Sequence, residues 1–160
     1  MKEIKIETTL SVFEDLKELP ENIVSLMKQA EEAREKAYAP YSKFLVGVAI
    51  QLENGEVITG SNQENASYPS GLCAERTAVY YAGAKYPGVA MKSMAIMAGS
   101  IIHKTITPIP PCGACRQAIA EYEVKQDEPI EIYFMGESGK VVKSESLANL
   151  LPLVFDKSVL

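Results

Sequence analysis

Apolar residues recur at helical spacing from residue 23 onward. Ile23, Leu26, Met27, Ala30, Ala33 and Ala37 fall on one side of an α-helical wheel. Pro20-Glu21-Asn22 opens this helix, since proline suits a first turn, and Pro40 stops it. The pattern then changes. Phe44 to Leu52 is a nearly unbroken apolar run of strand length and predicts a mostly buried strand. Glu53-Asn54-Gly55-Glu56 supplies hairpin-turn chemistry, and Val57 to Ser61 reads as the return strand. Cys73 to Tyr86 reads as a helix with one small face (Ala74, Ala78, Ala82) and one larger face (Thr77, Tyr81). Met91 to Ala98 is a strand and Gly113 to Val124 a further helix. Ile130 to Met135 and Val141 to Lys143 are strands around the turn Glu137-Ser138-Gly139-Lys140. Ser146 to Leu151 closes the pattern as a short helix ended by Pro152. The order α-β-β-α-β-α-β-β-α predicts an α/β fold, a mixed sheet with helices on both faces. Residues 1–18 are charged and mixed, and they read as a loose N-terminal extension to one domain spanning 19–160.

Charge and cysteine content narrow the function classes. The chain of 160 residues carries a net charge of −5, and its Lys and Arg do not cluster. Such a chain lacks the electrostatic footprint that phosphate backbones require, so no nucleic-acid partner is expected. Met1 to Glu7 contains no apolar run and reads as no signal peptide, and no stretch approaches a membrane span. An odd count of 3 cysteines argues against a disulfide framework, and reduced thiols fit a cytoplasmic protein.

Those thiols fall in two motifs, Cys73-Ala74-Glu75 and Pro111-Cys112-Gly113-Ala114-Cys115. A catalytic zinc takes three protein ligands and keeps its fourth position for water. Cys73, Cys112 and Cys115 meet that demand with none left over, and Glu75 follows Cys73 closely enough to reach a water on the metal. Zinc deaminases combine His or Cys ligands, a non-ligating Glu and a P-C-x-x-C turn in this manner. Both motifs sit at predicted helix starts, where free N–H groups stabilise thiolate. Three thiolates leave a Zn²⁺ centre with excess negative charge. Arg76 can relieve it by donating to a sulfur, as can backbone N–H groups alone. Other readings compete. A bare CxxC also suits a redox pair or a structural zinc. The redox pair needs neither Cys73 nor Glu75, and the structural zinc needs a fourth ligand. His103 is the sole histidine, and its polar loop suits a solvated residue better than a ligand.

Four blocks together resemble the small, homotetrameric cytidine deaminases. They are Ala39-Pro40-Tyr41-Ser42-Lys43-Phe44 with Val46-Gly47, Asn62 with Glu64-Asn65-Ala66-Ser67-Tyr68, Cys73 to Ala78, and Pro111 to Gln117. The resemblance covers roughly residues 22 to 156. It implies a three-layer fold, a five-stranded mixed sheet between helices, and the zinc-dependent conversion of cytidine and deoxycytidine to uridine and deoxyuridine for pyrimidine salvage. It implies Cys73, Cys112 and Cys115 as zinc ligands, Glu75 as proton shuttle and Arg76 as charge-tuning neighbour. It further implies that the helix start at Cys73–Ala74 binds the pyrimidine O2, that Asn62 and Glu64 read the ribose, and that Phe44 stacks on the base. Tyr68 and Phe155 are implied to reach a neighbouring subunit's pocket. Without the resemblance, Asn62 to Asn65 reads as a polar turn, Phe44 as a core residue and Phe155 as a tail aromatic. The loop from Ser100 to Ile109 is longer than usual for the group.

Overall fold

The computed structural model describes residues 1–126 and 128–160. Its elements are β1 (Ser11–Phe13), α1 (Glu21–Arg34), β2 (Phe44–Leu52), β3 (Val57–Ser61), α2 (Ala74–Lys85), β4 (Met91–Ser100), α3 (Gly113–Gln126), β5 (Glu131–Met135) and β6 (Val141–Ser144), with short 3₁₀ turns between them. The strands form one mixed sheet in the order β1-β6-β5-β4-β2-β3. β4 and β5 are parallel, joined through α3, and every other pairing is antiparallel. This is the expected α/β fold of a mixed sheet between helix layers.

The sheet carries a sixth strand beyond the expected five. Ser11–Phe13 pairs with β6, Val12 opposite Val142, so the extension read as loose is stitched to the edge of the sheet. The segment expected as a last short helix is a single 3₁₀ turn, Leu147–Asn149. Glu123 of α3 fixes that turn from outside by accepting from the Ile130 N–H at 2.7 Å, the Leu147 N–H at 2.9 Å and the Ser146 hydroxyl at 2.6 Å.

Side chains alternate between the two faces of the sheet, and each face has its own core. On one side Ala49, Ala95, Met97 and Met135 pack under α1, with Leu26, Met27 and Ala30 above them. On the other, Val48, Ile50, Ile96 and Ile132 meet Ala78, Val79 and Ala82 of α2 and Ile119 of α3. β2 and β4 are buried on both faces, which is why β2 reads as a nearly unbroken apolar run rather than as an alternating one. Complete burial of a side chain such as Ile96 stabilises the fold by about 1.5–3 kcal/mol.

Glycine sets the separation of the layers at two points. A Cβ at Gly47 would overlap the Ala30 carbonyl of α1. A Cβ at Gly60 would lie 2.8 Å from the Ala78 N of α2. The second contact matters for the site, because it lays α2 directly on the β3 backbone and so fixes where its first residues emerge.

The long loop after β4 is anchored by Glu137. Its carboxylate accepts from the Thr105 N–H at 2.8 Å and from Arg34 Nη2 at 2.5 Å, and the Glu137 N–H donates back to the Thr105 carbonyl at 2.7 Å. The Thr105 N–H, with Arg34 beside it, holds the Glu137 carboxyl below the usual carboxylate range. Its contribution to stability is therefore complete above the ordinary glutamate value of about 4.3 and disappears as pH falls through the lowered native value. In thermal scans Glu137→Gln should melt below wild type at pH 7, and the gap should close on acidification toward pH 3. A gap independent of pH would assign the loss to packing rather than to charge.

Candidate active site and metal centre

Cys73 is the N-cap residue of α2, in extended conformation. Cys112 immediately precedes α3, and Cys115 lies in its first turn. The two helix starts converge, and the three sulfurs meet there. Cys73 Sγ lies 3.8 Å from Cys112 Sγ, Cys112 Sγ lies 3.4 Å from Cys115 Sγ, and all three fall within 4.8 Å of one another. Zinc–sulfur bonds of about 2.3 Å at the tetrahedral angle put sulfurs about 3.8 Å apart, so the spacing fits one zinc ion. Burial runs from exposed Cys112 to fully buried Cys115, which leaves the cluster one open side. His103 is exposed in the 100–109 loop and takes no part in the cluster.

Electrostatics at the cluster favour thiolate at Cys73. The Cys73 thiol is drawn down to about 5, first by a hydrogen bond from Cys115, and also by Arg76 and Cys112. Cys115 is pushed up, because it keeps its proton in favour of Cys73 and is buried. Arg76 Nη2 lies 3.7 Å from Cys73 Sγ, while its Nε is buried without a partner among the described residues.

Glu75 lies on the first turn of α2 and is only 5% exposed. Burial pushes its carboxyl above the usual range, and the neighbouring Cys73 thiolate adds to the effect. A carboxyl held above its usual range at the helix start that bears a thiol of the cluster is suited to take up and release protons.

A cleft of about 450 Å³ opens beside the cluster. Asn62, Glu64, Tyr68, Cys73 and Arg76 line it, all singled out from the sequence, together with Tyr41 and Ser42. Glu64 Oε2 accepts from the Tyr41 N–H at 2.9 Å and the Ser42 N–H at 3.2 Å. Burial pushes the Glu64 carboxyl up, but the Ser42 hydroxyl and these two amides outweigh it and hold the group below its usual range. Asn62 is committed to the backbone of β2. Its Oδ1 accepts from the Val46 N–H at 2.8 Å and its Nδ2 donates to the Phe44 carbonyl at 2.9 Å. Ala74 is buried at the start of α2. Phe44 is half-buried at the start of β2, and neither it nor Phe155 lines the cleft. Tyr68 is 74% exposed and Phe155 62% exposed, and Tyr68 packs against Tyr41 with ring centroids 6.0 Å apart.

Sequence reasoning gave no role to Tyr41 and Ser42, although both stood in a quoted block. Their task is set by the turn they make. Lys43, with φ of 58°, adopts the left-handed conformation, and this directs the preceding amides at Glu64.

Three thiols at two helix starts, one buried carboxyl and a cleft with an acidic far wall define a zinc-dependent hydrolytic centre. The comparisons with known proteins agree with it. Residues 20–127 match the model of the cytidine and deoxycytidylate deaminase zinc-binding region, and the chain belongs to that family. It is similar to a cytidine deaminase of Halalkalibacterium halodurans, 47% identical over 96 residues that make up 60% of this chain and 68% of that protein. It is also similar to one from Sporosarcina psychrophila, 39% identical over 137 residues, 85% and 93% of the two chains. The crystal structure of a cytidine deaminase from Burkholderia pseudomallei superposes with a TM-score of 0.72 at 39% identity, covering 86% of this chain and all of the other. Zinc is the cofactor, and the Cys73, Cys112 and Cys115 cluster is suited to it. Among the described residues no helix is long and apolar enough to cross a membrane.

Proposed function

We propose that this protein hydrolyses cytidine and deoxycytidine to uridine and deoxyuridine with release of ammonia, in pyrimidine salvage, through residues 19–160. The carrying observation is the buried Glu75 carboxyl on the first turn of α2, two residues after Cys73 of the three-thiol cluster beside the cleft. Zinc held by Cys73, Cys112 and Cys115 supplies a Lewis acid that makes water nucleophilic near neutral pH. Glu75 accepts a proton from the attacking water and delivers it to the pyrimidine N3, which makes C4 electrophilic. It then takes the proton of the new C4 hydroxyl and passes it to the amine, so the C4–N bond breaks as the C4 carbonyl forms and ammonia leaves. Acceptor and donor positions lie on one side of the ring, so one carboxylate serves both steps. The N–H groups at the start of α2, by Ala74, face the pyrimidine O2, as helix starts face anions.

Glu64 reads the ribose. Its Oε2 is occupied by two amides, which orients Oε1 toward the sugar hydroxyls. Asn62, just after β3, contributes from the place its bonds to the β2 backbone fix, and Phe44 stacks on the base. Tyr68 and Phe155, both exposed aromatics, close the pocket of a neighbouring subunit in a homotetramer. Light scattering should then give a mass near four times 17.5 kDa.

The test of function is direct. Purified protein with cytidine should lose the cytidine absorbance and release one ammonia per uridine formed. Free cytosine should be far poorer, because it leaves Glu64 without its hydroxyl partner. Cytidine 5′-monophosphate should also be poor, since no lysine lines the cleft and Arg76 is directed at Cys73. Equal specificity constants for cytosine and cytidine, or a preference for the monophosphate, would overturn the reading.

Arg76 offers a finer check. Its guanidinium withdraws charge from Cys73, so Arg76→Ala should lower kcat about 10–100-fold, the usual cost of losing a group that supports a metal ligand. Adding Cys73→His to that variant should restore part of the rate, because a neutral imidazole removes the charge that Arg76 offset. Unchanged kinetics in Arg76→Ala would leave the residue with a packing role only.

A further inference from the structure

We propose that Arg116 and Gln117 are positioning residues that tether the C-terminal segment, residues 150–157, to the thiol-bearing turn of α3, so that the seat of Phe155 follows the geometry of that turn. The inference rests on reading the three-thiol cluster as the zinc centre.

Arg116 acts in two directions. Its backbone N–H donates to the Cys112 carbonyl at 2.9 Å, and its Nε donates to the Pro111 carbonyl at 2.8 Å. One residue, directly after Cys115, thus holds both carbonyls that lead into the turn. Its Nη1 donates to the Leu150 carbonyl at 2.9 Å, 34 residues further along the chain. Gln117 Nε2 donates to the Phe155 carbonyl at 2.7 Å. Lys157 Nζ then reaches the Val124 carbonyl at 3.4 Å, farther along the same helix. The segment therefore lies on α3 as a strap, held at both ends and near its middle.

Leu150 and Leu151 pack on the core and bond to the Leu147 carbonyl, but within the subunit little else holds residues 152–157. Leu153 is 79% exposed and Phe155 62%, so these side chains bury little apolar surface in the subunit. Asp156 caps only its own local turn, through the Ser158 N–H at 2.8 Å. Within the subunit the Phe155 backbone is thus held by Gln117, two residues beyond a cysteine of the cluster. When the thiols are free to leave their clustered arrangement, the Pro111 and Cys112 peptides can turn with them, and Arg116 loses its fixed fork. A lysine cannot replace that fork, because a single ammonium does not span two divergent carbonyls as a rigid guanidinium does.

Limited chymotrypsin cleavage of the zinc-loaded full-length protein, followed by intact mass, reads the strap at Leu153 and Phe155. With one zinc retained per chain, Arg116→Lys and Gln117→Ala should each raise the cleavage rate there by about tenfold, the weight of one good hydrogen bond. Zinc-stripped wild type should show the same faster cleavage while fragments from the β4 region stay absent. If Phe155 covers a nucleoside, both variants should raise KM with kcat nearly unchanged, a split that a general loss of stability would not give. Should Arg116→Lys release zinc, Gln117→Ala still tests the strap, since Gln117 makes no contact with the thiol turn's carbonyls. Wild-type cleavage rates in Gln117→Ala with zinc in place would overturn the tether alone. Wild-type protein that binds no zinc through its three thiols would overturn the metal reading and the tether with it.

Discussion

Glu75→Gln should leave zinc content and nucleoside binding intact while turnover falls by more than about 10⁴-fold. A single acid–base group is worth about 10²–10⁴-fold, and the excess is expected because Glu75 serves more than one proton transfer. The amide preserves the shape of a side chain that is 5% exposed, so the α2 turn has no cavity to fill. What it cannot do is exchange a proton with water and then with the leaving amine. Stopped assays for ammonia, with zinc measured by elemental analysis and cytidine binding by calorimetry, separate these quantities. A variant within tenfold of wild type, with full zinc, would remove Glu75 from the chemistry.

The second large effect concerns the metal. Cys112 is the exposed member of the cluster, so Cys112→Ala leaves no void and reads metal binding rather than packing. Zinc per chain should fall well below one after dialysis, and activity should fall to the limit of detection. The same loss should lower thermal stability. A ligand present at a thousand times its dissociation constant stabilises by about 4 kcal/mol, equivalent to roughly 8–16 °C in Tm for a chain of this size. Chelator treatment of wild type should reproduce that shift, and added zinc should reverse it in wild type but not in Cys112→Ala. Full zinc in Cys112→Ala would show that the ion sits elsewhere. His103→Ala serves as the control, since His103 is remote from the sulfurs and its loss should change nothing.

Much of this was legible in the sequence, for reasons that particular residues make clear. β2 carries a long apolar run because both its faces are covered, and α1 carries a helical stripe because only one of its sides is. The thiol motifs could be placed at helix starts since Cys73 and Cys112 directly precede the helical patterns. Bringing the two starts together was not legible. It depends on the parallel β4–α3–β5 crossover and on α2 lying against Gly60, neither of which leaves a local pattern. β1 was missed because three residues cannot display a period and their partner lies near residue 142. Asn62 reads as a polar turn residue, and only the fold shows its amide committed to Val46 and Phe44. The grip of Arg116 on Leu150 likewise joins residues whose spacing in the chain gives no hint of contact.

The three-residue strand β1 also has a consequence for how the polypeptide behaves in company. Without it, β6 would be the rim of the sheet, with Val141 and Val142 presenting unpaired amide and carbonyl groups to any passing chain. Rims of that kind template aggregation, and short, partly polar edge strands are one of the ways proteins blunt them. Ser11–Phe13 is such a guard. It turns Phe13 inward against the α1 side of the core and ends after three residues, too short to recruit a neighbour along its own free edge. On this view the N-terminal segment contributes solubility during synthesis and storage, a service rendered at the side of the molecule farthest in the sheet order from β3, where the nucleoside cleft begins.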